Sequence, residues 1–182
     1  ISFMLIDMTQ PEIDVRPIKQ MTGDAEFCEV FLDGARVEPD GLLGELHGGW
    51  QVATSVLADE RAAVGAASIR LDRRLGRVGP GAPSGLRDRG FALRRLLDRT
   101  GTNPRLGPLS KLAMTEFETL LSRALLEQHG ADAMLITDDT EPFLYAPGMR
   151  IAGGSSEVQR DLVGERLLGL PRAPKPPPTT DS

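Results

Sequence analysis

The hydrophobic period of this chain changes once, near Gly48, and that change constrains the fold more than any other feature. Before it, apolar and polar residues alternate in short runs. Ile13-Asp14-Val15-Arg16-Pro17-Ile18 alternates, and Glu26–Leu32 does so again, with Phe27, Glu29 and Phe31 opposite Cys28, Val30 and Leu32. A period of two belongs to strands. Ile1–Ile6 is a short apolar run of the same kind. Asp33-Gly34 is a tight-turn signal, after which Ala35-Arg36-Val37 reads as a returning strand. Three or four such strands have little stability as a free sheet. Residues 1–46 therefore read as part of a larger β unit.

After Gly48 the period is helical. Positions 53, 57, 60, 64, 67 and 71 are Ala, Leu, Glu, Val, Ala and Leu, a stripe apolar except for Glu60. Residues 70–105 are Arg-rich, with a loop at Gly79-Pro80-Gly81-Ala82-Pro83 and a helix predicted at Phe91–Leu97. Leu109–His129 gives the clearest long helix, with Met114, Phe117, Leu121, Ala124 and Leu125 on one face and Gly130 to end it. Residues 131–152 read as a long connection. A final helix follows Gly153-Gly154-Ser155-Ser156, with Val158, Leu162, Val163 and Leu167 as its apolar face and Gly169 and Pro171 as its stop. The Pro-rich stretch 172–182 reads as disordered or polyproline-like. The predicted class is mainly α with a small β part.

Composition narrows the functions. The length of 182 residues fits one domain, or one and a half. No run approaches the roughly 18 apolar residues of a membrane span. A net charge of −5 argues against a general nucleic-acid binder. The arginines of 70–105 are interspersed with Asp72, Asp88 and Asp98, as on a solvated face; an anion-binding patch is the sharper alternative. The single cysteine, Cys28, excludes an intrachain disulfide and a thiolate zinc site, and reads as a small core hydrophobe. His47 and His129 read as loop or helix-end residues, so no metal site is expected. The chain opens on Ile1 without an initiator Met, which points to missing sequence in front. No basic leader precedes Asp7, so a cytoplasmic, reducing location is expected.

Two local features carry chemistry. Glu60 interrupts an apolar stripe. If desolvated, its pKa rises toward neutrality, which suits a general base. The alternative is a stripe-edge Glu that reaches solvent or a cation. In Gly153-Gly154-Ser155-Ser156-Glu157-Val158-Gln159-Arg160, Ser156 and Gln159 have the spacing of a capping box. The two glycines allow close approach of a ligand, and a helix start favours an anion such as phosphate. A plain well-capped helix is the alternative.

Together these segments resemble the acyl-CoA dehydrogenase family. The most specific match joins residues 153–160 to Gly164-Glu165-Arg166-Leu167-Leu168-Gly169-Leu170-Pro171, similar to the family's C-terminal signature. Met21-Thr22-Gly23 through Asp33, with Val37 and Gly44-Glu45, resembles the end of its middle β-domain. Gly48-Gly49-Trp50-Gln51-Val52-Ala53 with Asp59-Glu60-Arg61 resembles the first helix of its C-terminal bundle. The likeness is greatest to divergent actinobacterial-type members.

The resemblance implies the end of a β-barrel-like middle domain (1–46), a C-terminal four-helix bundle (47–171) and the tail. It implies FAD as cofactor and an acyl-CoA thioester as substrate, dehydrogenated to the 2,3-enoyl-CoA. It implies an electron-transfer flavoprotein as electron acceptor, and a homo- or hetero-oligomer, dimer or tetramer. Many members place the catalytic carboxylate where this chain has Gly153; another branch places it on the first bundle helix, where Glu60 matches. Arg61 matches an arginine near the substrate. Ser155, Ser156 and Glu157 fall in the cofactor-contacting stretch, with Glu157 toward the adenine or ribose side, because a carboxylate would repel pyrophosphate. The family's Arg-x-x-Phe-Gly segment is not visible in 70–105, and Glu127 stands where a Gln is usual. The chain by itself is expected to be inactive. A truncated or non-catalytic subunit acting through oligomer packing is the second reading.

Overall fold

The structure, a computed structural model, describes residues 1–62 and 64–172, with the side chains of 57–69 outside that description. The expected tail from Ala173 onward also lies outside it.

The alternating runs form two small antiparallel sheets. β1 (Phe3–Met4) pairs with β4 (Leu42–Leu43). β2 (Ile13–Ile18) pairs with β3 (Phe27–Leu32) in a register running from Ile13↔Leu32 to Ile18↔Phe27. Among the described residues there is no closed barrel, only these two-stranded sheets. The return strand expected at Ala35-Arg36-Val37 does not form. The Gln10 side chain takes both backbone groups of Arg36: Nε2 donates to its carbonyl at 2.9 Å and Oε1 accepts from its N–H at 2.8 Å. Those groups are then lost to a sheet ladder. Every residue of β3 is exposed, Cys28 included. The expectation of a core cysteine fails because no layer of described residues covers either face of the hairpin.

Among the described residues the helical period gives six helices: α1 (Gly49–Ala62), α2 (Val64–Leu75), α3 (Leu86–Thr102), α4 (Gly107–Glu127), α5 (Thr140–Met149) and α6 (Ser156–Leu162). A single π turn, Val163–Leu167, continues α6. Helix α4 is the axis, with α2, α3, α5 and α6 packed against it. Its predicted face is the core: Met114, Phe117, Leu121, Ala124 and Leu125 are buried with Leu71, Val78, Leu86, Leu93 and Leu97. Helix α1 begins against β1, where Gly49 N–H donates to the Ile1 carbonyl at 3.1 Å. A Cβ at Gly49 would lie 2.5 Å from the Phe3 nitrogen, so only glycine permits that approach.

Helix α3 is longer than predicted, and residues 131–152 contain the unpredicted α5. A Cβ at Gly90 would collide with the Leu75 side chain, so glycine there serves close packing of α2 on α3. Pro142 sits in the first turn of α5, where its missing N–H has no helical partner to lose.

Polar side chains tie the bundle at two buried points. Arg74 on α2 pairs with Glu118 on α4 and donates to Ser122 Oγ at 3.0 Å. Asp139, 2% exposed before α5, accepts from Arg77 at 2.7 Å and lies 3.0 Å from His129 Nε2. His129 is thus a helix-end residue, as its position after α4 suggests.

Candidate functional site

The signature stretch begins in the turn after α5 and runs into α6. Gly153 and Gly154 have φ of +64° and +98°, which other residues rarely adopt. Ser155 is extended (φ −60°, ψ 161°) and caps α6, its Oγ accepting from the Val158 N–H at 3.4 Å.

The capping box expected between Ser156 and Gln159 is therefore corrected. The glycine pair starts the helix one residue earlier, which makes Ser156 its first helical residue. Ser156 is 3% exposed, and its Oγ has no hydrogen-bond partner among the described residues. Gln159, also buried, donates from Nε2 to the Gly153 carbonyl at 3.0 Å. The buried side of α6 is thus polar, whereas Val158, expected on the apolar face, is half exposed.

From α4, Lys111 reaches this turn. Its Nζ donates to the Gly154 carbonyl at 2.6 Å and to the Arg150 carbonyl at 3.1 Å. Burial holds the Lys111 pKa below the usual lysine value, and Arg150 adds to this, while Glu157 opposes it. The exposed Glu157 carboxylate is held below its ordinary range by its own backbone N–H and the Ser155 hydroxyl, then by Arg160 and Arg150. Sequence reasoning misses Lys111. A signal is present, since Lys111, Met114 and Thr115 share one helix face and the latter two are buried.

Ser155, Ser156 and Glu157 are thus adjacent at one helix start. Glu60 and Arg61 lie within the span of α1, but their side chains fall outside the described residues. Glu127 is exposed and pairs with Arg123 at 2.7 Å. FAD requires polar partners, and the unpartnered Ser156 hydroxyl beside a glycine turn fits that demand. No helix among the described residues is long and apolar enough to cross a membrane.

The profile of the acyl-CoA dehydrogenase C-terminal domain matches residues 90–168, from within α3 past the π turn. The chain is 31% identical over 200 residues to the acyl-CoA dehydrogenase IpdE1 of Mycobacterium tuberculosis, covering 96% of this chain and 52% of that protein. The chain belongs to the acyl-CoA dehydrogenase family. It is also 32% identical over 193 residues to the acyl-CoA dehydrogenase FadE34 of the same species, covering 94% of this chain but 27% of that protein. It thus spans about half the length of IpdE1 and less of FadE34. Among solved structures it superposes on the Tcur3481-Tcur3483 steroid ACAD with a TM-score of 0.78 at 22% identity, covering 94% of this chain and 52% of that one. The ChsE4-ChsE5 complex of Mycobacterium tuberculosis gives 0.74 at 22% identity, covering 94% and 54%. At this identity the structural likeness speaks for the fold alone: a helical acyl-CoA dehydrogenase-type bundle preceded by a little β structure.

Proposed function

We propose that this chain serves an FAD-dependent acyl-CoA dehydrogenase, as the end of the middle β-domain (1–46) and the C-terminal bundle (47–171). The observation that carries the reading is the buried, unpartnered Ser156 hydroxyl beside the Gly153-Gly154 turn, within the residues whose profile defines the family. Ser155, Ser156 and Glu157 are the proposed cofactor contacts. Gly153 has no carboxylate to offer at the turn, so the base is sought on another element. Glu60 on α1 is the proposed base, taking the α-proton of the acyl-CoA thioester, with Arg61 beside the substrate. The chemistry that FAD would supply when bound is acceptance of the β-hydrogen as hydride. Loss of that proton and hydride leaves the α,β double bond of the enoyl-CoA.

The proposed partners follow the family: an electron-transfer flavoprotein to carry the electrons onward, and a second subunit, identical or related. The neighbour described as the ChsE4-ChsE5 complex supports pairing with a related subunit. A cytoplasmic location belongs to the same proposal.

The test is an acyl-CoA and dye-acceptor assay on the smallest assembly containing this chain that turns over. Glu60→Gln is expected to lower turnover by about 100-fold or more, the usual contribution of a general base. Undiminished turnover would remove Glu60 from the mechanism.

A further inference from the structure

We propose that Lys111 is a positioning residue for cofactor binding, holding the Gly153-Gly154 turn so that Ser155, Ser156 and Glu157 meet the cofactor in a fixed geometry. This rests on the reading of those three residues as cofactor contacts. Lys111 itself need not touch the cofactor.

The turn is shaped by side chains. Its Arg150 and Gly154 carbonyls both accept from Lys111 Nζ, and its Gly153 carbonyl accepts from Gln159 Nε2. The N–H groups of Gly153, Gly154, Ser155 and Ser156 have no acceptor among the described residues. Acceptors are therefore committed inward while a run of donors stays uncommitted, next to a buried hydroxyl that also lacks a partner. Successive free N–H groups and a free hydroxyl suit a hydrogen-bond-accepting ligand. Lys111 produces the asymmetry from a rigid position, on the 21-residue helix α4 that forms the bundle axis. A site held by a packed helix is more exact than one left to its loop.

A lysine that only fastens α4 to the following loop would stabilise the bundle without setting the site. Amide hydrogen exchange separates the two roles, because it reads the turn without needing cofactor. The full chain is compared with Lys111→Met, with Lys111→Arg as the conservative rescue. Lys111→Met is expected to speed exchange about tenfold or more at the hydrogen-bonded amides that flank the turn, 150–152 and 158–159, leaving Met114–Leu125 unchanged. Lys111→Arg is expected to restore most of the protection. FAD added to the assembly that turns over acyl-CoA is expected to bind Lys111→Met about tenfold more weakly, the loss typical of a removed supporting partner.

Unchanged exchange at 150–152 and 158–159, or acceleration spread evenly over the bundle, would overturn the positioning role. A loosened turn with undiminished FAD affinity would overturn its link to the cofactor. Absence of FAD protection at 155–157 in the unmutated protein would instead overturn the underlying reading of those contacts. If Lys111→Met does not fold, Gly154→Ala attacks the same turn from the other side, since its Cβ would lie 2.5 Å from Gln159 Nε2. It is expected to weaken FAD binding, and undiminished FAD binding would count against the role of the turn.

Discussion

The β2–β3 hairpin and helix α4 are both rich in apolar residues and meet opposite fates. Leu121 and Leu125 on α4 are 0% and 1% exposed, whereas Phe27, Val30, Phe31 and Leu32 on β3 are 44–59% exposed. The difference lies in the partners. Helices α2 and α3 bring apolar residues to α4, and α5 and α6 also pack on it, while no described element lies over the hairpin. Periodicity tells which residues can face a core, not whether this chain supplies the other side of it.

The largest expected effect comes from Leu121→Ala, which empties the centre of the bundle. Buried Leu→Ala changes cost about 2–5 kcal/mol. Urea denaturation followed by circular dichroism measures the loss, and a cost below about 1 kcal/mol would mean that α4 is not the main core.

Next is Asp139→Ala. It leaves the Arg77 guanidinium and the His129 ring without their shared buried acceptor. Arg77 is 41% exposed and recovers some hydration, so the expected cost is about 2 kcal/mol, near that of a lost charge-assisted hydrogen bond. If the denaturation midpoint of the variant matches that of the unmutated chain, the clasp contributes nothing. Gly154→Ala should cost about 1–2 kcal/mol, because its φ of +98° strains any side chain and the new methyl meets Gln159. A neutral result would show that the turn relaxes freely.

The same contrast explains what could be read in advance. The face of α4 was legible because five apolar residues repeat at helical spacing, and β2 was legible because Ile13, Val15 and Pro17 alternate with Asp14 and Arg16. Helix α5 was hidden by Pro142 and Pro147, since one sequence cannot show that Pro142 falls in a first turn. The strand expected at 35–37 failed through a contact 26 residues away, from Gln10 to Arg36. At the site, the glycine pair and the serines were visible as a motif. Which serine caps α6 depends on backbone angles at Gly153 and Gly154, and the role of Lys111 depends on the approach of α4 to that turn. Glu60 stays a matter of pattern and resemblance.

Phe31→Ala sharpens the comparison from the exposed side. Arg16 stacks over the ring at 4.4 Å from its centroid, and Phe31 is 44% exposed. Losing a surface stacking contact and part of an aromatic face should cost less than about 1 kcal/mol, despite the larger deletion than at Leu121. A cost matching that of Leu121→Ala would mean that something covers the hairpin in solution.

The smallest expected effect is a pH slope that belongs to the bundle. Lys111 has a folded-state pKa below the ordinary lysine value of 10.5, chiefly through burial and then through Arg150. Between those two values the unfolded chain holds more protons than the folded one, so stability rises with pH. The increment is absent below the lowered value and complete above 10.5. Lys111→Met removes the group, so the difference in unfolding free energy between the unmutated chain and the variant should grow in favour of the former across that window. The amine also keeps donors for the Arg150 and Gly154 carbonyls after losing its proton, so the turn should persist there. A difference that shrinks with rising pH would mean that the charge itself, rather than the hydrogen bonds, holds the turn.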